Sequence, residues 1–163
     1  NAKEDYDDPR MWDFLESANI RLLNDETVLI DNWFYLTARK DPSRCRKMSD
    51  TRKEPDQLTA SLDKTLPIIF IDHQPGQLNE VAAAGADLDL CGHTHDGQLF
   101  PLNIITGLVW ENSCGYLKKG TMHNIVTSGA GIWGPNMRTA TNSEICSITV
   151  HFYPARPNSS DPS

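Results

Sequence analysis

The sequence predicts an α/β fold, and two strand-like segments separated by a helix are the main reason. Residues 66–71 form a continuous apolar run, and 88–91 form a second, shorter segment of the same kind. Such runs are typical of strands that are buried on both faces of a sheet. Between them, Leu78, Val81 and Ala82 follow a helical spacing. A strand, a helix and a strand in succession predict a parallel crossover, which is the basic unit of α/β proteins.

Length and composition are those of one soluble domain. The chain has 163 residues, of which 39% are apolar and 23% are charged, and this is enough to bury a core. No stretch approaches the roughly 20 apolar residues that span a bilayer, so we expect nothing here to cross a membrane. We expect one domain over residues 1–153, followed by a disordered tail over 154–163 that is rich in Pro, Asn and Ser.

Charge and cysteine content exclude some classes of function. The net charge of -7 disfavours nucleic-acid binding, and an anionic substrate would need a local cation, which a metal ion can supply. The four cysteines are scattered without a C-x-x-C pair, which makes a zinc ribbon or a thioredoxin-type site improbable. We interpret them as free, mostly buried thiols, although their number also allows two disulfides.

The first 65 residues predict helices and a small β meander. An acidic cap at Asp7-Asp8, followed by Pro9 and an apolar stripe, predicts a helix over 9–19. The basic, polar stretch 39–55 shows no apolar period and is interpreted as a mobile surface loop. The other elements that we expect here are strands at 20–23, 27–30 and 33–37 and a short helix at 57–62.

The C-terminal third is predicted to be mostly β. Its strand-like stretches are separated by Gly and Asn. They cover residues 99–105, 107–117, 122–128 and 144–153.

Histidines follow both of the buried strands. Ile71-Asp72-His73 closes the first strand, and Gly92-His93-Thr94-His95 closes the second. Ligands of open α/β sheets collect beyond the carboxyl ends of the strands, so neighbouring strands would deliver these side chains to one crevice. Because alternate residues of an extended segment point the same way, we expect His93 and His95 to present their rings on one side.

Three histidines at two strand ends favour a metal site. Neutral imidazole binds Zn, Mn, Fe and Ni alike, and glycines at 92 and 97 would allow a tight ligand loop. A single His in an α/β core is more often a polar residue with satisfied hydrogen bonds, and we accept that interpretation for His123 and His151. The sequence therefore predicts metal ligands at His73, His93 and His95.

These motifs resemble a known family. Gly92-His93-Thr94-His95 with the upstream His73-Gln74-Pro75 resembles the last two motifs of the calcineurin-like metallophosphoesterase superfamily. The similarity continues through Gly97-Gln98 and residues 127–135 with Arg138, which resemble a bacterial branch of predicted membrane-associated phosphohydrolases. It covers nearly the whole chain, weakly before residue 60.

The resemblance implies a fold, a metal centre and a reaction. The family fold is a two-sheet α/β/β/α sandwich, of which this chain would be the C-terminal half. Two divalent ions, whether Mn, Fe, Zn or Ni, would drive hydrolysis of a phosphomonoester or phosphodiester. His73 and His93 would bind one ion and His95 the other. The compartment of the parent protein stays open, membrane association included.

The earlier motifs of the family do not occur in this sequence. Asp-x-His, Gly-Asp-x-x-Asp and Gly-Asn-His are all missing, so no catalytic residue is assigned here. The chain is expected to begin just after Gly-Asn-His, with Glu4-Asp5-Tyr6 following that motif. We expect weak or no metal binding and negligible activity without the missing N-terminal half as a partner.

Two further expectations concern the substrate and the oligomeric state. Arg138 is the candidate for contacting a substrate phosphate, because its guanidinium offers a bidentate fork, although a surface arginine in a loop is an equal alternative. A half-sandwich leaves a sheet edge or face uncovered, which predicts a homodimer.

Two other functional interpretations are kept. One is a non-catalytic scaffold or binding module with a phosphoesterase-like fold. The other is a mononuclear zinc hydrolase in which all three histidines and a water bind a single ion. The metal stoichiometry would separate the mononuclear interpretation from the binuclear one.

Overall fold

The computed structural model describes residues 9–139 and 141–152. Within these ranges the chain forms five α-helices, one 3-10 turn and six strands. The helices are α1 Pro9–Ser17, α2 Pro42–Met48, α3 Pro55–Thr59, α4 Leu78–Ala83 and α5 Leu102–Val109. The strands are β1 Glu26–Ile30, β2 Phe34–Ala38, β3 Ile68–Ile71, β4 Leu88–Cys91, β5 Gly115–Lys119 and β6 Met122–Val126, and the 3-10 turn is His95–Gly97.

The strands form one mixed sheet in the order β1-β2-β3-β4-β6-β5. Its four inner strands are parallel, and β1 and β5 pair antiparallel at the edges. The predicted α/β class is confirmed. The described ranges contain this one sheet. The second sheet that the family resemblance implies is not seen within them.

The predicted β3-α4-β4 crossover is confirmed and determines where the histidines lie. β3 and β4 are adjacent and parallel, so their carboxyl ends lie side by side. The core packs between the sheet and helices α3 and α4. Its buried side chains are Leu58, Phe70, Leu78, Val81, Ala86 and Met122.

Most predictions for the N-terminal half are confirmed, and two are wrong. The first helix, the β1-β2 hairpin and the short helix before β3 all form, while residues 20–23 form no strand. The stretch 39–55 is not a mobile loop, because it contains α2. The carboxylate of Asp41 caps this helix by accepting a hydrogen bond from the backbone N of Arg44 at 2.8 Å, and Pro42 occupies the first turn.

The predicted β-rich C-terminal third needs a correction. Residues 122–128 contain β6 and 107–117 end in the first residues of β5, as expected. However, α5 occupies 102–109, which is most of 99–105 and the start of 107–117, and 144–152 form no strand. Short runs of Leu, Ile, Thr and Val occur both in helices and in strands, so their pattern does not separate the two. In this structure the tertiary context favours the helix. Four predictions concern residues outside the described ranges: the tail, the strand residue at 153, residues 4–6 and the acidic cap at Asp7-Asp8.

Two other sequence-based expectations can be compared with the structure. All four cysteines are free; Cys45 and Cys91 are buried, Cys114 is half-buried and Cys146 is exposed. Among the described residues there is no helix with the length and apolar character needed to cross a membrane.

Candidate functional site

His73 and His93 face each other at the ends of neighbouring strands. Nε2 of His73 lies 3.0 Å from Nδ1 of His93. Their ring centroids are 4.8 Å apart, and the rings meet edge to face at 77°. The two strand ends thus deliver two imidazoles to one place, as the strand order predicts.

The pair opens into a cavity of about 620 Å³. His95 also contributes to its lining, so all three predicted ligands border one space. The other residues that line the cavity come mainly from α2, from α5 and from the loop around Trp133. They are Asp41, Ser43, Arg44, Lys47, Met48, Thr94, Gly97, Gln98, Leu102, Ile105, Thr106, Val109, Trp110 and Trp133.

The backbone that carries His93 and His95 is not extended, contrary to the sequence-based argument. His93 has φ 70° and His95 has φ 51°, and both lie in the left-handed region. Non-glycine residues adopt this region at a cost of about 1 to 3 kcal/mol, and residues of this kind are common at active sites and ligand clamps. The turn separates the two rings, so that His93 pairs with His73 while His95 turns toward Arg138.

Gly97 is required by the close approach of α5. Its φ is +74°, and a Cβ atom there would lie 2.3 Å from the backbone N of Asn103. Gly92 has no such constraint, because a Cβ atom there would make only ordinary contacts with Thr127. Of the two glycines that bracket the pair, only Gly97 has the predicted special backbone role.

Arg138 holds the turn together and does not line the cavity. Its Nη2 lies 3.4 Å from Nδ1 of His95, and its Nη1 donates to the carbonyl oxygen of His95 at 3.2 Å. The guanidinium also donates to Thr141 Oγ1 and to the carbonyl oxygens of Ser128, Gly131 and Asn142. These contacts hold His95 and its turn in place, and the predicted contact of Arg138 with a substrate phosphate stays a prediction.

The surroundings keep two of the three imidazoles neutral. Burial lowers the pKa of His93, and positive charge on His73 and His95 would act in the same direction. Burial also lowers the pKa of His95, with the nearby Arg138 charge as the second cause. Neutral imidazole is the form that binds a metal ion.

The His73–His93 pair fits two ligands of one cation. Two nitrogens that each lie about 2.1 Å from a divalent ion, at a right or tetrahedral angle, are roughly 3.0 to 3.4 Å apart. The observed 3.0 Å between Nε2 and Nδ1 is in that range, and in the structure it is the length of a hydrogen bond between the two rings. Over residues 9–139 and 141–152, however, no three side chains of His, Cys, Asp or Glu are grouped closely enough to hold an ion. The pair fits, and further ligands would have to come from movement of His95 or from outside these ranges.

Behind His73 lies a buried ion network. The carboxylate of Asp72 accepts hydrogen bonds at 3.1 Å from Nη1 of Arg39 and from both Nη atoms of Arg52. The side chain of Arg39 is 0% exposed, and that of Asp72 is 3% exposed. Burial raises the pKa of Asp72, while the two guanidinium groups oppose that rise.

Within β4 lies a second buried carboxylate, Asp89, which forms no ion pair among the described residues. Oδ2 of Asp89 accepts hydrogen bonds from Asn124 Nδ2 at 2.9 Å and from the Cys91 thiol at 3.3 Å, and its Oδ1 has no partner. Burial raises the pKa of Asp89 to about 6.

The remaining histidines lie away from this site. His123 on β6 pairs with the hydroxyl of Tyr116 at 2.9 Å. Together with His151 it borders a separate cavity of about 400 Å³. This agrees with their interpretation as residues outside the metal site.

Sequence reasoning missed three residues that border the cavity, namely Asp41, Lys47 and Trp110. The ring centroid of Trp110 lies 6.1 Å from that of His93. Asp41 and Lys47 were missed because the basic, polar composition of 39–55 predicts a loop, although Asp41-Pro42 is a helix-start signature. Trp110 gave no signal, because its contact with His93 depends on how α5 packs.

Fold and site together define an α/β protein with a histidine-lined cavity at the carboxyl ends of two parallel strands. Several curated proteins share sequence with it. An "Uncharacterized metallophosphoesterase" of Helicobacter pylori (strain J99) is 37% identical over 107 residues, which are 64% of this chain and 29% of the relative. A protein of the same name from Aquifex aeolicus is 29% identical over 140 residues, 85% of this chain and 53% of the relative. A "Transmembrane protein with metallophosphoesterase domain" of Danio rerio is 41% identical over 88 residues, 52% of this chain and 20% of the relative.

This chain is related to the metallophosphoesterase superfamily, as the histidine motifs predict. It spans about a fifth to about half the length of these three relatives. No family model matches the chain. No solved structure matches it either.

Proposed function

We propose that this chain supplies the imidazole side of a metal-dependent phosphoester hydrolase. The observation that carries the proposal is the facing pair of His73 and His93, with Nε2 and Nδ1 3.0 Å apart at the border of a cavity. A divalent cation held there would polarise the phosphoryl oxygens and stabilise the charge that develops on them.

The chain's own residues prepare the cavity for that chemistry. The low pKa of His93 leaves its ring free to act as a ligand at neutral pH. Arg138 fixes the turn that carries His95, and the ion network around Asp72 fixes the strand end that carries His73. Lys47, which borders the same cavity, would attract a phosphate group.

The binuclear form of the centre is part of this proposal. His73 and His93 would bind one ion and His95 the second, which agrees with the separation of His95 from the facing pair. The bridging carboxylate motif of the family has no counterpart in these 163 residues, so the segment alone should bind metal weakly and turn over little substrate. The one-zinc and scaffold interpretations remain predictions, as does the homodimer.

Hydrolysis of bis-p-nitrophenyl phosphate with Mn²⁺ tests the proposal. We expect negligible turnover from the 163 residues alone and clear turnover from a longer protein that contains them. In that longer protein, His93→Ala should lower kcat/KM by at least about 100-fold, because loss of a ligand costs more than loss of its supporting partner. His123→Ala, which removes an imidazole outside the cavity, is the matched control and should leave kcat/KM unchanged.

Two outcomes would contradict the proposal in different ways. Robust turnover by the segment alone would disprove its expected inactivity. Full activity of the longer protein after His93→Ala would disprove the role of the histidine pair.

A further inference from the structure

The cavity beside the histidine pair has two chemically different sides. The polar side consists of the histidine pair with the residues of the α2 end, and the apolar wall consists of α5 residues with the Trp133 loop. The polar side is His73, His93, Asp41, Arg44 and Lys47. The apolar wall is Leu102, Ile105, Val109, Trp110 and Trp133.

The apolar wall is solvent-exposed although it is strongly hydrophobic. α5 buries none of its eight residues. Val109 is 68% exposed, Ile105 is 51% exposed and Trp133 is 65% exposed. Contiguous exposed apolar surface that borders a cavity is typical of a binding site.

The apolar wall is also poor in hydrogen-bonding groups. The hydroxyl of Thr106, the polar side chain that α5 contributes to the cavity, already donates to the carbonyl oxygen of Leu102 at 2.7 Å. A sugar or nucleoside placed against this wall would lose hydrogen bonds to water and regain few of them. The wall therefore favours an apolar group.

The polar side carries cationic side chains in a chain whose net charge is -7. These are Lys47 and Arg44, and the carboxylate that lines the same side is Asp41. The oxygens of Asp41 are already engaged, since they accept from the backbone N of Arg44 at 2.8 Å and from Gln74 Nε2 at 3.0 Å. This side is complementary to an anion.

Trp110 joins the two sides. Its ring meets that of His93 edge to face at 79°, with centroids 6.1 Å apart. An anionic group at the histidine pair would therefore have the apolar wall beginning directly beside it. One molecule can contact both sides only if it is amphiphilic.

We propose that this cavity binds phosphate esters of long-chain alcohols, with the phosphate on the polar side and the alkyl or acyl chain along the apolar wall. This names the substrate class of the hydrolase proposed above, and it rests on that function for the location of the phosphate. The chain contributes binding free energy in proportion to the apolar area that it buries.

Binding of an n-alkyl phosphate series to the whole 163-residue chain tests the proposal without requiring activity. Butyl, hexyl and octyl phosphate, below their micelle concentrations, are titrated by calorimetry beside inorganic phosphate and 1-octanol. We expect Kd to fall by about two- to fourfold for each added methylene, as partial to full burial of a CH₂ group predicts. Octyl phosphate should bind more tightly than either inorganic phosphate or octanol.

Variants assign the two sides separately. The double variant Ile105→Asn/Val109→Asn should abolish the dependence on chain length. Leu108→Asn is the matched control, because Leu108 lies on the same helix and is 83% exposed but does not border the cavity. Lys47→Gln should weaken binding of every alkyl phosphate by a similar factor and leave the chain-length dependence intact. Since α5 buries no side chain, circular dichroism should show all variants folded.

Several results would overturn the proposal. An affinity that does not change with alkyl-chain length would show that the apolar wall does not contribute to binding. An unchanged chain-length dependence in the Ile105→Asn/Val109→Asn variant would show that the alkyl chain binds elsewhere. Octanol binding as tightly as octyl phosphate would remove the polar side. Chain-length dependence without hydrolysis by the longer protein would contradict only the hydrolase function, whereas hydrolysis without any preference for long chains would contradict only the substrate class.

Discussion

The ends of β3 and β4 carry the two parts of the histidine site, and the chain holds them by different physical means. At β3, the buried carboxylate of Asp72 is matched by Arg39 and Arg52 at 3.1 Å. Within β4, Asp89 is just as deeply buried but has only an amide and a thiol as hydrogen-bond donors. The first end is held by compensated charge, the second by neutral hydrogen bonds.

This difference has consequences for stability. Compensated buried charges stabilise little in net terms, but removal of one partner leaves the others uncompensated in a low-dielectric surrounding. A buried carboxyl group without a cationic partner instead has a raised pKa, because burial disfavours its charged form. Its contribution to stability therefore depends on pH. The two aspartates should therefore respond to different perturbations.

The largest effect is expected from Asp72→Asn. This change removes the buried negative charge that faces Arg39, whose side chain is 0% exposed and whose other ion-pair partner, Glu54 at 3.7 Å, is exposed, so the free energy of unfolding should fall by about 3 kcal/mol. Urea unfolding at pH 7 measures it. Asp50→Asn is the control, since the Lys40–Asp50 pair at 2.9 Å is partly exposed and should contribute little to stability. Equal losses in the two variants would mean that the β3 end does not depend on the buried network.

A smaller, pH-dependent effect is expected from Asp89. Its folded-state pKa of about 6 lies above the ordinary value of 3.8, so the folded state binds the extra proton between these two pH values. The associated stability is fully present below pH 4 and is lost as the pH rises through 6. Because each pH unit in this window changes stability by up to about 1.4 kcal/mol, the wild type should lose about 2 to 3 kcal/mol relative to Asp89→Asn between pH 4 and pH 7.

Urea unfolding of the wild type and of Asp89→Asn across this pH range checks the effect. Subtracting the variant removes the contributions of the other carboxylates. A difference that stays constant with pH, or that grows in favour of the wild type as the pH rises, would show that Asp89 is not a buried acid with a raised pKa.

The sequence predicts the β3-α4-β4 unit well because its signals are local. Continuous apolar runs and helical spacing are properties of neighbouring residues, and the position of His73 and His93 at adjacent strand ends follows from them. The signal for the start of α2 is equally local, because Asp41-Pro42 indicates a helix start. The basic composition of 39–55 nevertheless favours a loop, and for that reason the helix was not predicted.

Other features depend on contacts between distant parts of the chain. Arg39 is buried because Asp72, 33 residues away, folds against it. The left-handed backbone of His93 and His95 has no signature in their residue types, so an extended geometry was the natural and incorrect expectation. The partners of Arg138 lie on a turn and a loop whose meeting no spacing in the sequence predicts.

The most direct test of the central claim, that His73 and His93 hold one cation together, is paramagnetic broadening of imidazole NMR signals by Mn²⁺. The method detects weak binding, as expected for this segment alone. The account predicts that the signals of His73 and His93 broaden together at the lowest Mn²⁺ concentration, that those of His123 and His151 stay sharp, and that His93→Ala protects His73. Equal broadening of all the histidines, or broadening of His73 that persists after His93→Ala, would contradict it.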